Sequence, residues 1–113
     1  MARPLPPDNV HQNLTLEIRR GALVLAVLAA LEGEQYGYSL KNHLAEKGID
    51  IDEGTLYPLM RRLESQGLLD SRWVMSDSRP RRYYKLTAAG ARALKDLAAE
   101  WRLISKGLDR LLR

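Results

Sequence analysis

Apolar residues gather along the chain until, from Ala22 to Leu31, ten consecutive positions are apolar. A membrane span needs about 18 or more, so this run predicts a buried helix from about Leu14 to Leu31, enclosed on most sides and ended by Gly33. Ahead of it, residues 1–13 hold Pro4, Pro6 and Pro7 with few apolar positions, and a flexible arm is expected there. Leu40 and Leu44, four apart, mark a second helix from about Tyr38 to Lys47, stopped by Gly48. Ile49 to Ile51 is expected to pair as a short strand. Asp52 then stands as N-cap of a third helix from about Glu53 to Gln66, closed by Gly67. In that helix Leu56, Leu59, Met60 and Leu63 form the core face, Tyr57, Arg61 and Glu64 lie opposite, and Arg62 flanks them.

Beyond Leu68 the period shortens. Leu69, Trp73 and Met75 alternate onto one face, Ser76 to Pro80 has the composition of a turn, and Arg82 to Leu86 resumes an extended pattern. Together they predict a β-hairpin with Tyr84 inside and Trp73 packed at its root. Thr87 caps a last helix running from Ala88 to the C-terminus. Along it Leu94, Leu97, Trp101, Ile104, Leu108 and Leu111 recur at spacings of three and four, the pattern of a helix-pairing seam. The stripe runs the length of the helix although the preceding domain has its own apolar faces, which favours a dimer seam over a core lid. The expected fold is mainly α with a small β-hairpin: a winged helix-turn-helix domain over residues 14–87 and a C-terminal dimerisation helix over 88–113.

Composition narrows the chemistry. The chain has 113 residues, enough for one domain with a modest core, and no cysteine, which excludes disulfides, thiolate metal sites and cysteine nucleophiles. His11 and His43 stand alone, so neither a metal site nor a cofactor is expected. No paired carboxylates or glycine-rich phosphate loop suggest an enzyme. With no membrane span or secretion signal, a cytoplasmic protein without a membrane partner is expected.

The net charge of +4 says little alone, but its placement says more. Between Gly54 and Lys85, seven basic residues (Arg61, Arg62, Arg72, Arg79, Arg81, Arg82 and Lys85) face three acidic ones (Glu64, Asp70 and Asp77), so this segment carries the whole excess. Helix, short connection, helix and basic hairpin is the order in which a winged helix-turn-helix puts its second helix into the major groove and its hairpin along the backbone. Arg61 and Arg62 can bridge guanine edges, while Thr55 and Tyr57 offer hydroxyls to phosphates. Taken alone, Arg61 and Arg62 equally fit a solvated helix face paired with Glu64 or Glu46. The tip Arg79-Pro80-Arg81-Arg82 tilts the choice, because clustered like charges gain nothing for folding and suit an external anion.

At these residues the chain resembles the PadR-type transcriptional regulators. Glu53-Gly54-Thr55-Leu56-Tyr57-Pro58-Leu59, with Arg62-Leu63-Glu64 and Gly67-Leu68, matches that family's recognition helix. Tyr36-Gly37-Tyr38 and Arg81-Arg82-Tyr83-Tyr84-Lys85-Leu86-Thr87 with Gly90 match in order, and the likeness extends from about Leu16 to the C-terminus. It implies that Tyr57, Arg61, Arg62 and the wing arginines face double-stranded DNA, and that a homodimer forms through the first and last helices. In the family's short-chain, multidrug-sensing branch, a tryptophan at a similar place in the last helix stacks on flat compounds. The base-rate reading of Trp101 is a large seam residue; the resemblance adds a second, an inducer pocket of Trp101, Leu97 and Ser105 for a small apolar, aromatic or cationic ligand that releases a repressor. The alternative is a winged-helix module for protein or RNA without duplex DNA binding, which an acidic or apolar recognition helix and an uncharged wing would mark.

Overall fold

The helical stripes of the sequence converge on one core. Val27, Leu28 and Leu31 of the first helix meet Leu40 and Leu44 of the second and Leu56, Met60 and Leu63 of the third, with Ile51, Leu69 and Tyr84 completing the cluster. The computed structural model describes Pro4 and residues 8–113. Its elements are α1 (Asp8–Ala30), β1 (Gln35–Tyr36), α2 (Gly37–Glu46), α3 (Glu53–Ser65), β2 (Leu69–Ser76), β3 (Arg79–Leu86) and α4 (Ala88–Leu111). The fold is mainly helical with a small antiparallel sheet, as expected.

Four details differ from the expectation. Helix α1 begins at Asp8, so residues 8–13 of the expected arm are helical. The prolines all precede Asp8, where none interrupts the helix, and apart from Pro4 the rest of that arm lies outside the described residues. Ile49 to Ile51 forms no strand; Ile51 instead enters the core. The third strand is Gln35–Tyr36, which pairs with Tyr84 and Tyr83 and gives the sheet order β1-β3-β2. Two residues cannot show a period, so no alternation announced it.

The hairpin is longer and its turn tighter than the five-residue turn expected. Ser76 pairs with Arg79 across Asp77 and Ser78, both at positive φ (48° and 66°), the twist that a two-residue hairpin turn needs. Pro80 therefore lies inside β3, opposite Met75. Narrow and wide pairs alternate, so with Ser76 and Arg79 bonded at the turn, Pro80 sits where its nitrogen points away from β2. The fourth difference concerns Trp73. It shares a face with Leu69 and Tyr84, as the alternation requires, but it is 65% exposed rather than packed at the wing root. Leu69 is buried at the base of the hairpin, and four residues of strand carry Trp73 roughly 13 Å further, beyond the core.

Thr87 caps α4 as expected: its hydroxyl oxygen accepts from the Gly90 N–H at 3.0 Å and donates to the Gly67 carbonyl at 2.7 Å. A Cβ at Gly90 would run into the Leu68 carbonyl, so glycine lets α4 start hard against the α3–β2 junction. From there α4 runs outward. Past Leu94, which packs on the core, every other seam residue is exposed.

Candidate nucleic-acid interface

Three hydrophobic anchors hold α3 with one stripe outward. Leu56, Met60 and Leu63 are buried, while Gly54, Thr55, Pro58, Arg61, Arg62 and Ser65 all face solvent. Thr55, Arg61 and Arg62 thus share the surface that a groove would receive. The Thr55 hydroxyl donates to Asp52 Oδ1 at 2.7 Å, and this bond holds the Asp52 carboxyl below the usual aspartate range. Asp52 occupies the N-cap position, but its carboxylate serves Thr55 rather than a backbone N–H of the first turn.

Tyr57 sits on the flank nearer the wing and is half-buried, its ring standing over Gly37, where a Cβ would collide with it. Burial raises the Tyr57 phenol above the usual tyrosine range, with Glu53 and Tyr84 adding to the effect. The group stays protonated and keeps a hydrogen to donate. Between this flank and the hairpin lies a cleft of about 650 Å³, lined by Tyr57 and Arg61 on one side and Trp73, Arg79, Arg81 and Arg82 on the other. Five of the seven expected DNA-facing residues therefore meet in one place. Thr55 and Arg62, at the far edge of the same stripe, line a second groove of about 540 Å³ against α1, which also holds Arg19 and Arg20.

The wing arginines are not equivalent. Arg79 is exposed beside the turn. The guanidinium of Arg81 lies 4.6 Å from the centre of the Tyr36 ring, a cation–π stack that holds the charge without neutralising it. Arg82 points to the opposite face: its Nε donates to Ser71 Oγ at 2.8 Å, and its Nη2 meets Glu64 Oε1 at 3.1 Å. Ser71 donates in turn to the other Glu64 oxygen. Arg72 forms a two-pronged pair with Glu34 at 2.6 and 2.9 Å, which holds that carboxyl below the usual glutamate range. Two of the seven cations between Gly54 and Lys85 are thus matched, and among the described residues Arg61, Arg62, Arg79 and Arg81 make no ion pair.

Sequence reasoning missed Arg19, Arg20, Trp73 and Tyr38 at this surface. Arg19 and Arg20 stand in a stretch whose charges balance, and only packing brings them near Arg62. Arg19 also donates to the Asp50 carbonyl at 2.6 Å, tying α1 to the connection before α3. Tyr38 resembled an ordinary first-turn residue, yet it is exposed along the cleft.

The expected inducer site divides. Trp101 lines a groove of about 960 Å³ between α1 and α4, together with Leu25, Ala29, Leu94 and Ala98, whereas Leu97 and Ser105 lie outside that lining. Among the described residues no helix is long and apolar enough to cross a membrane.

Comparison with known proteins agrees with this geometry. Residues 24–96 match the model of the transcriptional regulator PadR-like family. A transcriptional regulator of Mycobacterium tuberculosis is 40% identical over 92 residues, covering 74% of this chain and 86% of that protein. A crystal structure of a PadR family transcriptional regulator from Eggerthella lenta superposes with a TM-score of 0.82 at 48% identity, covering 94% of this chain and 95% of the other. A PadR-like transcription factor from Bacteroides fragilis gives 0.75 at 34% identity over 88% and 98% of the two chains.

Proposed function

From the premise that this chain belongs to the PadR-like family of transcriptional regulators, we propose that it is a homodimeric repressor that reads its operator with α3 and is released by a small flat ligand. The family makes it a DNA-binding regulator and not an enzyme. The observation that carries the finer reading is the outward stripe of α3, with Arg61 and Arg62 in no ion pair among the described residues, beside a wing whose Arg79 and Arg81 are likewise in none. Recognition of protein alone would not call for such a cationic helix and wing; RNA would, and it is membership of a family of transcriptional regulators that favours duplex DNA over it. Arg61 and Arg62 are assigned to base edges, Tyr57 to positioning on a phosphate, and Arg79 and Arg81 to the backbone; Thr55, whose one hydroxyl hydrogen goes to Asp52 Oδ1, would have to give up that bond to hold a phosphate. Arg82, held by Glu64 and Ser71, is assigned to fixing the wing against α3 (a change from the phosphate role that its place in a basic run suggests). Acting on DNA, the protein works in the cytoplasm.

Anisotropy titrations of duplex from the promoter beside its own gene test this assignment. Arg61→Ala and Arg62→Ala are each expected to cost about 1–3 kcal/mol on the specific duplex and little on a random one. Arg79→Ala and Arg81→Ala are expected to weaken both duplexes and flatten the salt dependence by about 0.9 in the log–log slope each. Equal slopes for the wild type and the wing variants would remove the backbone role.

Release by a ligand is supported by the α1–α4 groove, whose apolar lining includes Trp101 and whose charged lining is Glu32, Lys95 and Arg102. A planar molecule would gain stacking on the indole there, and a cationic one would meet Glu32 against the repulsion of Lys95 and Arg102. Titration with planar cationic dyes is expected to quench Trp101 emission and to lower DNA affinity in parallel. Quenching that persists in Trp101→Phe, with DNA affinity unaffected, would count against the site.

A further inference from the structure

An exposed indole needs a partner or a reason. Trp73 overhangs the cleft between α3 and the wing at 65% exposure, with the Arg82 guanidinium 5.6 Å from the centre of its ring. Nothing in the core lies beneath it, so it does little for folding, and exposed aromatics of this size are characteristic of binding surfaces. Arg61 lines the same cleft from α3, and Arg79 and Arg81 line it from β3, their side chains leaving the hairpin on the face opposite Trp73 and Arg82. A duplex that takes α3 in its major groove and lays its backbone along the wing has to pass one strand through the space between them. That strand alternates phosphates with the apolar faces of deoxyribose.

The geometry points to this cleft as the channel for a single sugar–phosphate strand of the bound duplex, with the Trp73 indole packed on deoxyribose and Arg79 and Arg81 on the flanking phosphates. It rests on the duplex-binding reading above and adds to it an apolar contact that charge alone does not provide. The charges match the occupant: Arg61, Arg79 and Arg81, in no ion pair among the described residues, stand at the cleft against Glu53, which pairs with Lys41 at 3.9 Å.

A sugar contact releases no counterions, and this separates it from the arginines. Trp73→Ala is expected to lower affinity about tenfold, alike on promoter and random duplexes, while the slope of log affinity against log salt keeps its wild-type value. Trp73→Phe, which retains an aromatic face, is expected to recover most of the loss. In a Trp101→Phe background Trp73 is the sole indole, and its emission is expected to change on saturation with duplex. If anisotropy shows the duplex bound while Trp73 emission and the Trp73→Ala affinity are both unchanged, the inference falls and the DNA-binding reading survives. Tighter binding of the single strand than of the duplex would also overturn it, since the indole would then be stacking on bases. If the wild type binds no duplex at all, both readings fall together.

Discussion

Arg79 and Arg82 stand three residues apart on β3, and the alternation of a strand sends them to opposite faces. Arg79 is left to solvent. Arg82 is drawn into a closed triangle with Ser71 and Glu64, which joins both strands of the wing to the last turn of α3. The triangle is partly buried, so its members are desolvated enough to matter, and a carboxylate left alone there would face the same phosphates as the cleft arginines. A sign test follows. Arg82→Ala is expected to weaken duplex binding, and adding Glu64→Gln is expected to restore much of it by removing the stranded negative charge. A coupling of about 1 kcal/mol between the two positions is the expected size in a double-mutant cycle. If Arg82 were itself the main phosphate contact, Glu64→Gln alone would free it and strengthen binding, and the double variant would gain nothing over Arg82→Ala.

At the scale of elements, whatever announced itself by a period was legible and whatever depended on distance was not. The stripe Leu56–Met60–Leu63, the inward Tyr84 and the Thr87 cap were all readable, because each follows from spacing within one element. The stops at Gly48 and Gly67 were readable too, and both glycines take positive φ. Strand β1 was invisible because it is two residues long and exists only through its pairing with Tyr83 and Tyr84. Trp73 was misplaced for a related reason: alternation gives the face of a residue but not how far along the strand the core ends. Pro80 hid the true turn, since proline signals a loop unless the hydrogen-bonding phase of its position is known. The excess of positive charge was legible as a segment, but its pairing was not legible residue by residue. Glu34, 38 positions from Arg72 in sequence, is brought to it only by the folded sheet, and Arg19 reaches Asp50 in the same way.

The whole molecule measures 65 × 29 × 26 Å, far longer than its domain core, because α1 and α4 both project from it. The projecting surfaces are apolar. Leu14 and Ile18 on α1 and Leu97, Ile104, Leu108 and Leu111 on α4 are all at least 41% exposed in the single chain. An exposed surface of this kind is costly unless a partner covers it, and a second copy offers the same heptad stripe in self-complementary form. The proposed dimer has a direct consequence for DNA affinity. Two wings and two recognition helices joined by one seam bind half-sites about one helical turn apart, so the second half-site is bound at high effective concentration. Leu108→Glu, at an exposed seam position well away from the winged domain's core, is expected to leave the fold and melting cooperativity intact while shifting sedimentation to the monomer. Affinity for a two-half-site operator is then expected to fall about 10²–10⁴-fold, with affinity for an isolated half-site unchanged. A monomeric Leu108→Glu protein that still bound the full operator as tightly as the wild type would show that a single winged domain carries all of the affinity, and that the seam serves some purpose other than DNA recognition.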